Sequence, residues 1–252
     1  MHRRATDKLE GENCPIDGDD LKTGDCVSTD QLESPVGGMV ATWKGKPIKK
    51  QYNVATVFVD HASRFIHLSM AHSTGGQEAV AAKRKFERQA ADRDVRIKKY
   101  RADNGVFATK EFKAACEQLE QRLSLCGVNA HWQNGIAERQ IKSIVETART
   151  MLLHAMHHWP DEVAVDLWPY ALQQAVALHN ATPTSTGLTP EEIFTGCKST
   201  NKLGDFHTFG CPVFVLESRL QAGSSVPKWQ PLSCTEFISG HPRSMLRMSR
   251  SY

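Results

Sequence analysis

The chain has 252 residues, of which 40% are hydrophobic and 23% charged, and its formal net charge is +3. This composition is typical of a globular protein and excludes disordered and fibrous chains. No apolar run reaches the ~18 residues of a membrane span, and the Arg-rich start lacks the hydrophobic segment of a signal peptide. The seven cysteines contain no Cys-x-x-Cys pair, which argues against a disulfide scaffold and a self-contained zinc site.

The predicted elements begin after residue 23, since residues 1–23 are polar and acidic without periodicity. The predicted strands are residues 25–34, 52–60, 64–70, 95–102 and 122–128, and the predicted helices are residues 77–92, 109–121, 134–157 and 163–180. The second and third strands form a hairpin around "HAS". This order predicts an α/β fold in which helices pack on a mixed sheet.

The composition of the chain changes after Pro183, where turns rich in Thr, Gly and Pro become frequent. A short helix near "TPEEIF" and a weak strand at "CPVFVLE" are the predicted elements there. We therefore divide the chain into a linker over residues 1–23, a core over residues 24–182 and a partly irregular C-terminal extension over residues 183–252.

Charge is distributed unevenly along the chain. Residues 1–35 hold nine acids and four bases, whereas the run "KRKFERQAADRDVRIKKYR" at 83–101 holds nine bases and three acids. Such a run is usually a solvated face, and a surface facing nucleic acid is the alternative. The run ends two residues before Asp103, and this position favours the interpretation as a surface that faces nucleic acid.

The long helix over 134–157 has one clean apolar face. Its members step by four and three residues: Ala137, Ile141, Ile144, Ala148, Met151 and Ala155. Glu138 lies at the rim of this stripe, and Lys142 and Arg149 project from the side of the helix that carries it. An acid in a first helical turn usually complements the helix dipole, worth about 0.3–1 kcal/mol.

Three acids lie where a sheet protein presents site residues. Asp30 is within the first strand, Asp103 directly follows "IKKYRA", and Glu138 opens the long helix. Three acids from separate elements suit two-metal phosphoryl transfer, in which two divalent ions about 3.5–4 Å apart clamp the attacking and leaving oxygens. Residue types alone nevertheless favour solvated turn and cap acids over a catalytic role.

The segments "VSTDQ", "RADNG" and "QNGIAER", in this order, resemble the Asp-Asp-Glu core of integrases, specifically those of copia-type long-terminal-repeat retrotransposons in the retroviral integrase superfamily. The hairpin "VFVDHASRF" and the later "FHTFGCPVFV" are similar to segments of the same group. The resemblance covers roughly residues 24–216. It implies a ribonuclease-H-like fold with a five-stranded mixed sheet flanked by helices.

The resemblance implies a polynucleotidyl transferase that trims the ends of the element's DNA and then joins the new 3′-hydroxyl to target DNA. Asp30 and Asp103 would share one Mg²⁺ or Mn²⁺ ion, and Asp30 and Glu138 the other. The residues expected to contact DNA are Gln133, Asn134, Arg139, Lys142 and Arg149. The expected partners are double-stranded DNA and further copies of the chain, without a membrane. The expected location is the nucleus, with a particle stage in the cytoplasm.

Several features depart from the family pattern. The spacer between Asp103 and Glu138 is 34 residues (138 − 103 − 1), one fewer than usual in the family. "HWQNG" places Trp132 in the active-site loop, and the last 20 residues fit the family poorly. The family's His-His-Cys-Cys zinc module would precede residue 1, so residues 1–23 are expected to be an acidic linker that follows a missing zinc module.

These departures leave two alternatives to an integrase. One is a nucleic-acid-binding remnant without catalytic activity, and the other is a ribonuclease-H-type nuclease that cleaves without joining.

Other chemically conspicuous residues are expected to be structural. Asp60 is expected to form the hairpin turn. The histidines at 154, 157 and 158 have metal-compatible spacing but are interpreted as favourable charges at a helix C-terminus. Cys116 and Cys126 are expected to be small core residues, and Trp159 and Trp168 packing anchors.

Overall fold

The structure is a computed structural model that describes residues 21–40, 51–126, 135–200, 202–216, 220, 223 and 233–237. A five-stranded sheet forms its centre, with strand order β3-β2-β1-β4-β5. The strands are β1 (Val27–Gly38), β2 (Tyr52–Asp60), β3 (Ile66–Ala71), β4 (Lys99–Ala102) and β5 (Arg122–Leu125). A separate two-stranded sheet pairs β6 (Pro212–Leu216) with β7 (Ser233–Phe237).

The large sheet is mixed, as the sequence predicts. β1, β2 and β3 form an antiparallel meander, whereas β4 and β5 join the other side of β1 in parallel. The hairpin around "HAS" is confirmed by the antiparallel register of β2 and β3. Parallel neighbours require crossover connections, and helices supply them here.

Helices cover both faces of the sheet. They are α1 (Gly76–Ala91), α2 (Lys110–Glu117), α3 (Gly135–His158), α4 (Trp168–Ala181) and α5 (Pro190–Thr195). α1 and α2 build one core around Phe58, Phe86 and Tyr100. α3 and α4 build a second core on the opposite face around Val57, Ile144 and Leu172.

The continuous apolar run of β2 follows from this two-sided cover. Val57 faces the α3/α4 core and its neighbour Phe58 faces the α1/α2 core, so both are fully buried. A strand covered on both faces has no solvent side and therefore no polar alternation. Burial of each such side chain contributes about 1.5–3 kcal/mol.

Several predicted boundaries shift. β4 begins at Lys99 instead of residue 95, because the preceding backbone bonds outside the ladder, with Lys98 N–H donating to the Gly24 carbonyl. α4 begins at Trp168 instead of 163, after a 3₁₀ turn, and Pro169 occupies its first turn. β1 extends to Gly38 through an irregularity after Glu33. β7 was not predicted.

The short helix α5 and Phe209 of the predicted C-terminal extension pack onto the core. α5 starts with a capping box in which Thr189 and Glu192 bond reciprocally. Phe194 stacks on Phe65 with ring centroids 4.4 Å apart, and Phe209 is buried in the α3/α4 core. The division of the chain at residue 182 stays a prediction.

Within the described ranges, no helix is both long and apolar enough to cross a membrane.

Candidate active site

Two of the predicted acids become neighbours through strand register. β1 and β4 run parallel with Thr29 opposite Ala102, so the next step places Asp30 beside Asp103. Side chains alternate along a strand, and Thr29 and Ala102 are buried. Asp30 and Asp103 therefore emerge from the opposite face, where both are half-buried.

This face is the one that α3 covers. Leu32, two residues beyond Asp30, packs against the α3/α4 core, and Val57, the register partner of Asp30 in β2, belongs to that core. α3 contacts both β1 and β2. The two aspartates thus lie on the side of the sheet on which α3 lies.

Glu138 occupies the first turn of α3. Ile136 and Ala137 are buried and anchor this turn to the sheet, while Glu138 is exposed. Burial raises the pKa of the Cys126 thiol, the Arg101 guanidinium lowers it, and the charges of Asp103 and Glu138 raise it further. Because both carboxylates act on one thiol just after β5, Glu138 lies at the same end of the sheet as Asp103.

The backbone orients both aspartates. Asp30 Oδ1 accepts from the Gln31 N–H at 2.7 Å, and Asp103 Oδ1 accepts from the Gly105 N–H at 3.1 Å. A Cβ at residue 105 would lie 3.2 Å from both Asp103 carboxylate oxygens. The glycine therefore gives the carboxylate room to turn back on its own loop.

Sequence reasoning missed the residues that fasten this loop. The Asn104 side-chain amide donates to the Cys126 carbonyl, and the Arg101 side chain bonds to Cys126. Both interactions tie the end of β4 to the end of β5. The available signal in the sequence is the Asn-Gly pair of "RADNG", because both residue types favour turns.

The sequence of the chain is similar to part of one retrotransposon polyprotein. No family model matches the chain. Over 138 residues it is 32% identical to the "Retrovirus-related Pol polyprotein from transposon RE1" of Arabidopsis thaliana. This match covers 53% of the present chain and 8% of the polyprotein.

The fold is similar to that of solved structures. One is the simian T-cell lymphotropic virus intasome in complex with the PP2A regulatory subunit B56 gamma. It has a TM-score of 0.53 and 16% identity, with 86% of this chain and 69% of that chain covered. A second is the HTLV-2 integrase catalytic core domain in complex with magnesium, with a TM-score of 0.49 and 18% identity over 69% of this chain and 98% of that one.

These findings confirm the resemblance to an integrase core of a retrotransposon or retroviral polyprotein. The ribonuclease-H-like fold is likewise confirmed. The chain spans less than a tenth of the Arabidopsis polyprotein, so the activity and partners of the whole polyprotein are not transferred here.

The acidic residues Asp30, within β1, and Asp103, just after β4, fit a hard divalent cation. Within the described ranges, no group of three or more His, Cys, Asp or Glu side chains is arranged to hold a metal ion. Mg²⁺ does not need such a cage, because it is usually bound by one or two carboxylates together with substrate phosphates and waters. Asp30 and Asp103 are two neighbouring carboxylates that could bind such an ion.

The predicted DNA-contacting residues are spread along α3. Arg139 and Lys142 are exposed near Glu138, and Arg139 Nε donates to the Gly135 carbonyl at 3.2 Å. Arg149 is eleven residues beyond Glu138, about 16 Å along the helix axis. It lines an apolar cavity of about 380 Å³ between α3, α4 and the end of β1. Gln133, Asn134 and Trp132 lie outside the described residues.

The bases of the run at 83–101 are not all available to solvent. Lys83 is 1% exposed, donates to Glu87 at 2.8 Å and lies 5.3 Å from the centre of the Tyr100 ring. Lys98 pairs with Asp25 at 2.7 Å at the end of the sheet opposite Asp103. Lys83 is therefore not available to contact DNA, and a DNA-facing surface formed by the other bases of the run stays a prediction.

The structural roles expected of Asp60, Cys116, Cys126 and Trp168 are confirmed. Asp60 is buried in the hairpin turn, where it accepts from the Gly24 N–H and from the backbone and hydroxyl of Ser63. Burial raises its pKa, although these hydrogen bonds oppose the shift. Cys116 and Cys126 are buried, and Trp168 donates to the Val36 carbonyl at 2.9 Å. Trp159 is partly exposed just beyond α3.

Proposed function

We propose that this chain is the catalytic core of a DNA integrase of a copia-type retrotransposon. The proposed reactions are trimming of the element's DNA ends and strand transfer to target DNA. One observation carries the proposal: the register of β1 and β4 places Asp30 beside Asp103 on the sheet face where α3 presents Glu138. The relationship to a retrotransposon polyprotein and the fold support it.

The three carboxylates have distinct proposed roles. Asp30 would contribute to two cation sites, one with Asp103 and one with Glu138. Two Mg²⁺ or Mn²⁺ ions bound there would activate the attacking oxygen and stabilise the leaving oxygen of an in-line displacement. The hydrogen bonds from Gln31 N–H and Gly105 N–H hold the aspartates ready, because a preoriented carboxylate needs less reorganisation on binding.

Double-stranded DNA is the proposed substrate, and the bases of α3 would position it. Arg139 and Lys142 are exposed within about a turn of Glu138, so a phosphate backbone at the carboxylates would pass beside them. Such contacts orient the duplex without reading its sequence. Removing one such contact should reduce the slope of the logarithm of the binding constant against the logarithm of the salt concentration by about one.

The test uses the whole chain with Mg²⁺ or Mn²⁺ and a branched DNA that mimics the strand-transfer product. We expect the strands to be rejoined and released, and Glu138→Gln to abolish this activity. Glu146→Gln is the matched control, because Glu146 is exposed on the same helix about two turns further on. We expect it to retain activity and thereby to separate loss of a ligand from loss of a surface charge.

Two outcomes would refute the integrase proposal. Equal DNA binding without turnover in all three proteins would indicate a nucleic-acid-binding remnant. Metal-dependent cleavage of an RNA–DNA hybrid without joining of DNA strands would indicate a ribonuclease-H-type nuclease.

We also propose that the active form is a homo-oligomer and acts in the nucleus. A strand-transfer reaction must bring two element ends and a target together, which favours more than one protomer. Light scattering of the chain with and without element-end DNA tests the oligomer. A monomer in both conditions would contradict it.

A further inference from the structure

Three histidines lie at the C-terminal end of α3, far from the carboxylates. His154, His157 and His158 are all exposed in the last turn and a half of the helix. His154 is sixteen residues beyond Glu138, about 24 Å along the helix axis. This cluster is therefore independent of the proposed active site.

Two of these histidines are spaced to act together. His154 and His158 are four residues apart, so their side chains lie one above the other on the same helix face. Their ring centroids are 4.5 Å apart with an interplanar angle of 60°. Two imidazoles at this spacing on a helix form a bidentate chelate for a divalent transition metal, as in helical zinc motifs.

The third histidine is not part of this pair. The His157 ring lies 5.3 Å from that of His158. Adjacent residues on a helix do not face each other, so His157 and His158 cannot close the same chelate. His157 thus provides a matched control within the same turn.

The helix end adds a favourable electrostatic environment. The last carbonyl groups of a helix carry partial negative charge, which favours a cation nearby. Because no three-membered His, Cys, Asp or Glu group occurs among the described residues, water would complete the coordination. Imidazole ligands select Zn²⁺, Ni²⁺ or Cu²⁺ over Mg²⁺, which prefers oxygen.

We propose that His154 and His158 form a second metal site, a two-histidine chelate for divalent transition-metal ions. A metal ion bound there would link two successive helical turns and thereby stabilise the C-terminal end of α3. It is chemically distinct from the carboxylate site, since the two sites take different classes of cation. Binding uses the lone pair of one ring nitrogen from each imidazole.

The test is calorimetric titration of the whole chain with NiCl₂ at pH 7.5 under reducing conditions. We expect saturable binding that is at least about tenfold weaker in His154→Ala and in His158→Ala, because each variant leaves a single ligand. His157→Ala should bind within about threefold of the wild type. Alanine favours helix, so the three variants should keep α3 folded, and circular dichroism checks this.

A second measurement needs no variant. In an NMR spectrum of the imidazole protons, paramagnetic Ni²⁺ should broaden the His154 and His158 signals first. Unchanged affinity in both alanine variants would overturn the proposal, as would broadening confined to other histidines. Loss of Ni²⁺ binding in Asp103→Asn with retention in His154→Ala would assign the ion to the carboxylates instead. Neither result depends on DNA-joining activity, so failure here leaves the proposed function untouched.

Discussion

His67 should make the stability of this protein depend on pH. It lies on β3 beside the stacked rings of Phe58 and Phe86, at centroid distances of 6.0 and 5.3 Å. Its Nδ1 bonds to Gln89, and nothing among the described residues bonds to its Nε2. Burial lowers the pKa of His67 from 6.5 to about 4, the Gln89 hydrogen bond opposes this shift, and the charge of Lys85 adds to it.

The sign and size of the effect follow from proton binding. Between pH 6.5 and 4 the unfolded chain protonates His67 while the folded chain keeps it neutral, so acid favours unfolding. The stability from the neutral imidazole is complete above pH 6.5 and is lost as the pH falls to about 4. At pH 5 the loss is about 2 kcal/mol, since one pKa unit corresponds to about 1.4 kcal/mol and about one and a half units have been crossed.

The assay is urea denaturation of the wild type and His67→Leu at pH 8 and pH 5. Comparing the two proteins at each pH cancels the other titrating groups, including Asp60, whose raised pKa acts in the opposite direction. We expect the wild type to lose about 2 kcal/mol more than the variant between these pH values. His157→Ala, at an exposed histidine, should follow the wild type. Parallel losses in the wild type and His67→Leu would refute the reasoning.

Three further predictions follow from single contacts. Gly105→Ala should reduce DNA joining about tenfold or more with little change in thermal midpoint, because its Cβ would press on both Asp103 oxygens; equal activity in the joining assay would contradict this. Phe58→Ala should lower the free energy of unfolding, measured by guanidinium denaturation, by about 3–5 kcal/mol, since the ring is fully buried in the α1/α2 core. Asn180→Ala should lower the free energy of unfolding by about 1–3 kcal/mol, because the Asn180 amide bonds both the N–H and the carbonyl of Ile66 at the edge of β3. Hydrogen exchange at the Ile66 amide should then accelerate. Unchanged exchange would show that Asn180 does not hold this strand edge.

Much of the fold is encoded in local patterns. The apolar run of β2, the alternation of β3 and the stripe of α3 predicted these elements close to their observed bounds, because burial on one or both faces imposes a period of two or 3.6 residues. The order of elements predicted the mixed sheet. The order of the motifs singled out Asp30, Asp103 and Glu138 through their resemblance to a known family.

Only the tertiary structure decides which of these residues meet. Asp30 and Asp103 are 73 residues apart in sequence, and the parallel pairing of β1 with β4 makes them neighbours. That pairing depends on packing between distant segments, which no local period records. Long-range packing also buries Lys83, excludes residues 95–98 from β4 and places His67 beside two phenylalanines. Local sequence thus determines the elements and their faces, whereas long-range packing determines the register that assembles the site.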